Sequence, residues 1–170
     1  MKKYIQIILL AIGFSHLSLG AFEIDKEKYL FGTLKNPKYV SLWNSLFANE
    51  ENVDDWLKNY AEWQDGPSSP GEDVIVDGQK YLIRNVCEAH NCGSNYFVVA
   101  FSADAKEVLG LQMRMKYVRD FDFEQNKFVR KLVRENRFFG AAKADNTTHI
   151  INLKKAMIET RKYPKSISQM

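Results

Sequence analysis

The two cysteines of the chain lie five positions apart in the run Cys87-Glu88-Ala89-His90-Asn91-Cys92, and one of the three histidines lies between them. In an oxidising compartment, two cysteines at this spacing tend to form a disulfide, which here would close a short loop. Imidazole is flat and donates from both ring nitrogens once it is protonated. A closed loop with one such side chain near its apex is suited to blocking the cleft of another protein. The candidate contact residues are Glu88, Ala89, His90 and Asn91.

The chemistry of such a loop favours one kind of target. Closing a ring of this size stabilises the folded state by about 2 kcal/mol on the chain-entropy model. A loop that is already held in shape also loses less entropy when it docks. A cleft with two carboxylates, as in a glycoside hydrolase, offers matching acceptors. His90 inserted there would hydrogen-bond both carboxylates and exclude the sugar, so we expect inhibition by occupation.

Three enzymatic or metal-binding alternatives fit the cysteines less well. Redox dithiols favour two intervening residues, whereas Cys87 and Cys92 have four. A zinc site built on Cys87, His90 and Cys92 has only His149 as a further histidine of the exported chain and no second cysteine pair. Nucleophilic catalysis by Cys87 with His90 is lost if both cysteines are oxidised. We therefore expect no enzyme, catalytic residue, metal or cofactor, and the main alternative is an exported envelope protein with a purely structural disulfide.

The N-terminus predicts export. Met1-Lys2-Lys3 is a short positive segment, residues 4–17 are mostly apolar, and Ser18-Leu19-Gly20 supplies small residues before a cleavage site. The apolar run is shorter than the roughly 20 residues of a membrane span. We expect a signal peptide at 1–20 and a single domain at 21–170, located in the periplasm or secreted beyond it, with no stable membrane insertion after cleavage.

Charge is distributed unevenly along the exported chain. Residues 21–79 contain 12 acids and 5 bases, whereas residues 106–170 contain 15 bases and 7 acids. Both signs are interspersed, which favours complementary halves within one fold over two separate partner surfaces. No known nucleic-acid motif accompanies the basic part, so a nucleic-acid partner is not expected. The sequence leaves open whether the protein forms a homodimer.

The pattern of the first half predicts helices followed by strands. Asn36-Pro37 is a helix start, and the apolar residues that follow share one helical face: Tyr39, Val40, Trp43, Leu46 and Phe47. A second short helix is predicted to run to Tyr60 with Asn52 as its cap and Trp56, Leu57 and Tyr60 packed inward. Residues 66–71 are typical of a loop because they combine glycine, proline and serine.

Beyond that loop the apolar period changes to two. Residues 74–76 and 81–83 are expected to pair across Asp77-Gly78, a dipeptide that accepts the positive φ angles of a hairpin turn. Residues 96–101 form a continuous apolar run that suits a central strand, and residues 109–116 alternate between a buried and a solvent-exposed face. The prediction is an α+β fold with a central antiparallel sheet of about five strands, flanked by helices. The cysteine loop protrudes between two of the strands.

The last third is predicted to be helical. Phe128, Val129, Leu132 and Val133 suggest an apolar stripe in the segment from Lys127 to Arg137, whose opposite face is basic. A solvated outer face is favoured there over an anionic polymer or a membrane surface. A final helix is expected after a cap at Thr147 or Thr148, and its apolar residues are Ile150, Ile151, Leu153, Met157 and Ile158. His149 would be a surface or capping residue.

These segments resemble the Ivy family, lysozyme inhibitors exported by Gram-negative bacteria, whose loop reads Cys-Lys-Pro-His-Asp-Cys. The likeness includes the helix region around residues 29–43, the first hairpin at 69–78 and the strand at 95–101. The segment Phe138-Phe139-Gly140 resembles the aromatic-Gly segment that precedes the C-terminal helix of the family. The likeness covers most of residues 29–115 and is looser afterwards, where residues 120–137 look like an insertion.

The resemblance implies a C-type lysozyme or a related muramidase as the partner. It also implies that Cys87 and Cys92 form the loop disulfide and that His90 enters the cleft. The loop departs from the family pattern because Glu88-Ala89 replaces Lys-Pro and Asn91 replaces Asp. Glu88 beside catalytic carboxylates is expected to be repelled, so the target could instead be a bacterial lytic transglycosylase.

Overall fold

The computed structural model describes residues 25–140 and 147–160. A short 3-10 turn, Lys26–Lys28, precedes four helices: α1 (Leu30–Thr33), α2 (Pro37–Phe47), α3 (Asp55–Lys58) and α4 (Tyr60–Trp63). Five strands follow: β1 (Glu72–Val76), β2 (Gln79–Cys87), β3 (Asn95–Ser102), β4 (Val108–Asp122) and β5 (Lys127–Gly140). Helix α5 (Thr148–Glu159) comes last. The predicted signal peptide lies outside the described residues.

The strands form one antiparallel meander in the order β1-β2-β3-β4-β5, which confirms the predicted sheet. The first hairpin pairs Val76 with Gln79 across Asp77 and Gly78. Both turn residues have positive φ, 49° and 83°, as a two-residue hairpin turn requires. The apolar strand β3 is the middle strand, as its composition predicts.

Helices cover both faces of the sheet. On one face, the aromatic rings of Trp43, Phe47, Phe97 and Phe139 lie within 6 Å of one another in successive pairs, under α1–α4. On the other face, Ile150, Leu153 and Met157 of α5 pack on the sheet. The predicted alternation of buried and exposed residues is therefore wrong for the first half of β4. Gly110 and Gln112, which were expected on the exposed face, are buried under helices α1–α4.

The helix ends differ in how well the sequence indicates them. The Asn36 side chain accepts from Lys38 N at 3.1 Å, and Thr147 Oγ1 accepts from Ile150 N at 3.4 Å, so both predicted caps are confirmed. Asn52 is not a cap, because it has a φ of 55° and the helix starts after Asp54. On α5, Ile151 and Ile158 are exposed rather than packed.

The predicted basic helix from Lys127 to Arg137 is wrong, since these residues form strand β5. Phe128 and Leu132 are four residues apart, as are Val129 and Val133. A spacing of four keeps residues on one face in a helix and also in a strand, so the pattern does not separate the two periods. The segment is a strand because it pairs with β4 along its whole length, as far as Asp122 opposite Lys127.

Candidate inhibitory loop

The cysteine loop connects the end of β2 to the start of β3, and residues 88–94 lie between the strands. Cys87 and Cys92 are joined by a disulfide with their Cα atoms 4.8 Å apart. Inside the ring, Asn91 N donates to Glu88 O at 2.9 Å, and after it Asn95 N donates to Asn91 O at 2.9 Å. A covalent bond and successive turns therefore hold the loop in one shape.

His90 lies at the exposed apex of this loop. Its φ is 62°, in the left-handed region that non-glycine residues adopt rarely, with histidine among the better tolerated. The imidazole makes no hydrogen bond to any residue of the described part of the chain. Both ring nitrogens are therefore open to hydrogen bonding with a partner.

Glu88 points to the base of the loop. Its Oε2 accepts from Asn91 Nδ2 at 2.6 Å and from Asn95 Nδ2 at 3.0 Å. The acid and the amide that distinguish this loop from the family pattern therefore bond to each other. Glu88 is partly buried, whereas Asn91 is exposed beside His90.

A polar network under the loop anchors it to the helices. Asp54 Oδ2 accepts from Asn95 Nδ2 at 3.1 Å and from Gln112 Nε2 at 2.8 Å. Asp54 Oδ1 pairs with Arg114, and Gln112 Nε2 also donates to Asn95 Oδ1 at 3.0 Å. Asn95 and Gln112 are buried. The chain of contacts runs from Glu88 in the loop to the start of α3.

Sequence patterns do not reveal this network, because Asp54 is forty-one residues from Asn95 and fifty-eight from Gln112. One signal was available. Gln112 interrupts an apolar strand at a position that the sheet buries, and a buried amide needs partners. Its neighbours could be identified only from the fold.

The electrostatics of Asp54 follow from these contacts. Partial burial acts to raise the pKa of its carboxyl, but hydrogen bonds from Asn95, Arg114 and Gln112 outweigh burial and hold the pKa below the ordinary value. Asp54 is therefore ionised at neutral pH. It anchors the loop base as an acceptor with a full negative charge.

A second support comes from the segment before β1. Cys87 N donates to Pro67 O at 3.1 Å, and Ser68 Oγ donates to Asn85 O at 2.7 Å. A Cβ on Gly66 would lie 2.4 Å from Cys87 O, so the backbone approaches closely there. The segment predicted as a loop thus covers the edge of β2 next to the disulfide.

An open groove of about 570 Å³ lies beside the loop. It is lined by residues 52–56 together with Glu88 and Arg114. Three of these side chains are acidic and one is basic, so the groove carries net negative charge. A basic partner surface would complement it.

The other chemistries considered for the loop lack their reactive groups. Both cysteines are in the disulfide, so neither supplies a thiolate as nucleophile or ligand. His149 is remote from the loop: its Nδ1 lies 3.0 Å from Asp77 Oδ2 and its Nε2 2.7 Å from Tyr81 Oη. It joins α5 to the first hairpin, which is a structural role.

No helix among residues 25–140 and 147–160 is long and apolar enough to cross a bilayer.

Comparison with known proteins agrees with the geometry. The sequence profile of the family described as inhibitor of vertebrate lysozyme (Ivy) matches residues 43–131. The inhibitor of vertebrate lysozyme of Pseudomonas aeruginosa is 31% identical over 115 residues, which cover 68% of this chain and 72% of that protein. An uncharacterised protein of the same organism is 27% identical over 118 residues, covering 68% and 72%. An uncharacterised protein of Yersinia pestis is 32% identical over 80 residues, covering 47% and 49%.

The profile match begins in the second half of α2 and includes the loop and the sheet as far as the start of β5. Members of this family are periplasmic or secreted inhibitors rather than enzymes. The resemblance read from the loop and its flanking strands is thereby confirmed. The chain belongs to the Ivy family of lysozyme inhibitors.

Proposed function

We propose that this protein inhibits a C-type lysozyme by inserting the loop from Cys87 to Cys92 into the catalytic cleft, with His90 as the leading side chain. The observation that carries the proposal is an exposed imidazole on a loop closed by a disulfide. Its two ring nitrogens can bridge the acid and the second carboxylate of a glycoside hydrolase. Once seated, the ring occupies the space that the sugar needs.

Rigidity of the loop supports this mechanism. The disulfide closes the ring, and a hydrogen bond from Asn95 Nδ2 to Asp54 Oδ2 ties the base of the loop to the helices. On the outer side, Cys87 N donates to Pro67 O. A loop held at three points loses little conformational freedom on docking, so more of its contact energy appears as affinity. A loop with a purely structural disulfide would not require an exposed polar side chain at its apex.

The acid in the loop is compatible with an acidic cleft. The Glu88 carboxylate accepts two hydrogen bonds from amides of its own domain, so it is turned toward the loop base. His90, rather than Glu88, is therefore the side chain that enters the target first. The acidic groove at residues 52–56 would meet the rim of the cleft and favour a target with a basic rim.

The compartment fits the chemistry. A signal peptide at residues 1–20 would deliver the chain to the periplasm, where the cysteines oxidise and where peptidoglycan-cleaving enzymes act. A single domain, residues 21–170, would then be the active inhibitor, without metal or cofactor.

The test is inhibition of a C-type lysozyme on a peptidoglycan suspension by protein exported and processed in a bacterial host, beside H90A. The matched control is G93A, because a Cβ at Gly93 meets no atom within 4 Å. Loss of a central contact of at least 2 kcal/mol corresponds to about 30-fold weaker inhibition. We expect that loss in H90A and none in G93A, with the same disulfide content in all three proteins.

Other outcomes reject the proposal in distinct ways. Equal inhibition by wild type and H90A would show that His90 is not the leading group. No inhibition of lysozyme, together with inhibition of a lytic transglycosylase that depends on His90, would move the target to that enzyme. No inhibition of either enzyme by the folded, oxidised protein would leave a structural disulfide in an envelope protein.

A further inference from the structure

The hairpin of β4 and β5 extends well past the rest of the sheet. Pairing between β3 and β4 ends at Asn95 opposite Arg114, whereas pairing between β4 and β5 continues to Asp122 opposite Lys127. Residues 115–134 therefore form a two-stranded ribbon that leaves the sheet at the end where the cysteine loop lies. Met115 N, which donates to Ser94 O at 2.7 Å, marks its root.

The two faces of this ribbon differ in composition. Residues opposite each other in an antiparallel pair share a face, as Tyr117 does with Leu132 and Arg119 with Arg130. One face, which we call the arginine face, contains three arginines and no acid. It consists of Met115, Tyr117, Arg119, Phe121, Phe128, Arg130, Leu132 and Arg134.

The opposite face, which we call the mixed face, is electrically balanced. It carries three lysines, two acids and three valines, and a third acid, Glu135, lies at its root. Lys116 pairs with Glu135 at 2.8 Å, and Lys131 lies 3.9 Å from Asp120. The charge asymmetry therefore belongs to the arginine face alone.

Two of the three arginines on the arginine face pack on aromatic rings instead of acids. Arg119 lies 4.3 Å from the centroid of Phe128, and Arg130 lies 4.7 Å from that of Tyr117. In this arrangement each guanidinium is held flat while donors at its edge stay open to an external acceptor. No ion pair within the described residues includes Arg119, Arg130 or Arg134.

Large apolar side chains on the same face are exposed. Tyr117 is 63% exposed, Phe128 59% and Leu132 48%, and Phe123 at the hairpin turn is 87% exposed. Several exposed apolar side chains grouped on one face of an exported protein indicate a binding partner. Strand geometry produces this grouping, because a helix would have mixed these residues with the lysines.

We propose that the arginine face of the ribbon binds bilayers that contain anionic phospholipid. Phenylalanine and leucine partition into the boundary between headgroups and acyl chains, tyrosine favours the interface, and arginine donates to phosphate oxygens. The ribbon presents all three kinds of side chain on one face, while the mixed face stays in water. A glycan would match tyrosine but leave Leu132 and the phenylalanines exposed.

The test measures cosedimentation of the exported, processed protein with vesicles of phosphatidylglycerol and phosphatidylethanolamine, and with neutral phosphatidylcholine vesicles, at low salt. The variant R119Q/R130Q/R134Q removes three charges from the arginine face. The control K116Q/K127Q/K131Q removes three charges from the mixed face, so both have the same net charge. All proteins share one N-terminus, confirmed by mass spectrometry, and near-UV circular dichroism checks their fold.

We expect binding to anionic vesicles alone, with a loss of about fivefold per arginine, or roughly 100-fold for the triple variant. The mixed-face variant should bind within about threefold of wild type, because its lysines point away from the bilayer. Equal losses in both variants would show attraction by net charge alone and overturn the proposal. No vesicle binding, or binding only to insoluble peptidoglycan, would also overturn it, and the latter would identify a glycan partner. None of these outcomes depends on lysozyme inhibition.

Discussion

Replacing Asp54 by alanine should loosen the inhibitory loop without touching it. Asp54 accepts from the buried amides of Asn95 and Gln112 and pairs with the partly exposed Arg114. Hydrogen bonds to a charged group contribute about 1.5 kcal/mol each, and the exposed pair adds about 0.5 kcal/mol. The amides of Asn95 and Gln112 each keep one other partner, whereas Trp56 Nε1 and the Arg114 guanidinium lose the Asp54 carboxylate as their acceptor. We expect a loss of about 3.5 kcal/mol in the free energy of unfolding.

Urea unfolding followed by tryptophan fluorescence measures this loss, and an unchanged m-value would show that the unfolded state is unaffected. Asp55→Ala is the matched control, because it removes the same charge from the adjacent, exposed first residue of α3. Its expected cost is at most about 0.5 kcal/mol, from the helix dipole. Asp54→Asn keeps the shape and one acceptor, and should fall between the two.

A double-mutant cycle of Asp54→Ala with Asn95→Ala separates the network from general packing. Coupling of about 1 kcal/mol is expected between directly bonded partners. Asp54→Ala should also weaken lysozyme inhibition, because the loop it anchors gains freedom before docking. A loss below 0.5 kcal/mol in Asp54→Ala, equal to that of Asp55→Ala, would refute the claim that this carboxylate supports the loop.

Two further predictions concern the disulfide and the pH dependence of stability. Changing Cys87 and Cys92 to serine together should lower the free energy of unfolding by about 2 kcal/mol while the fold is retained, since the loop keeps its backbone turns; a urea titration that shows no difference from wild type would contradict this. Like that of Asp54, the pKa of Asp73 lies below the ordinary 3.8, because its partial burial is outweighed by hydrogen bonds from Lys80 and Arg84. As pH falls, the unfolded state therefore takes up protons first. The stability that the two ionised carboxylates contribute is complete above about pH 4 and is lost below it. The urea midpoint of the wild type, measured between pH 2 and 7, should show this decline, and the midpoint of Asp54→Asn should decline less steeply. The same pH dependence in both proteins would contradict the prediction.

Local sequence signals were sufficient for much of the architecture. The Asn36-Pro37 start, the Asp77-Gly78 turn and the Thr147 cap each depend on residues within a few positions of one another. Such features follow from backbone preferences that act over one turn. The loop was found in the same way, because two cysteines and a histidine within six residues form a local pattern.

The errors arose where local patterns were ambiguous. The segment after Lys127 carries apolar residues at a spacing compatible with both helix and strand, and pairing with β4 determined the outcome. Gly110 and Gln112 suggested a solvent-exposed face of β4, yet helices α1–α4 cover them. A Cβ at Gly110 would lie 2.6 Å from the Phe97 ring and 3.2 Å from Phe139 Cβ, so this glycine leaves room for aromatic side chains of the two neighbouring strands.

By itself the sequence determined which side chain the loop presents, which cysteines can close it and which family the chain resembles, because these depend on residue identity at short range. Only the tertiary structure decided how the loop is held and which way Glu88 points. It also decided that Arg119, Arg130 and Arg134 share a face with exposed aromatic residues. Those arrangements join residues tens of positions apart, and strand pairing and layer packing, rather than local preference, bring them together.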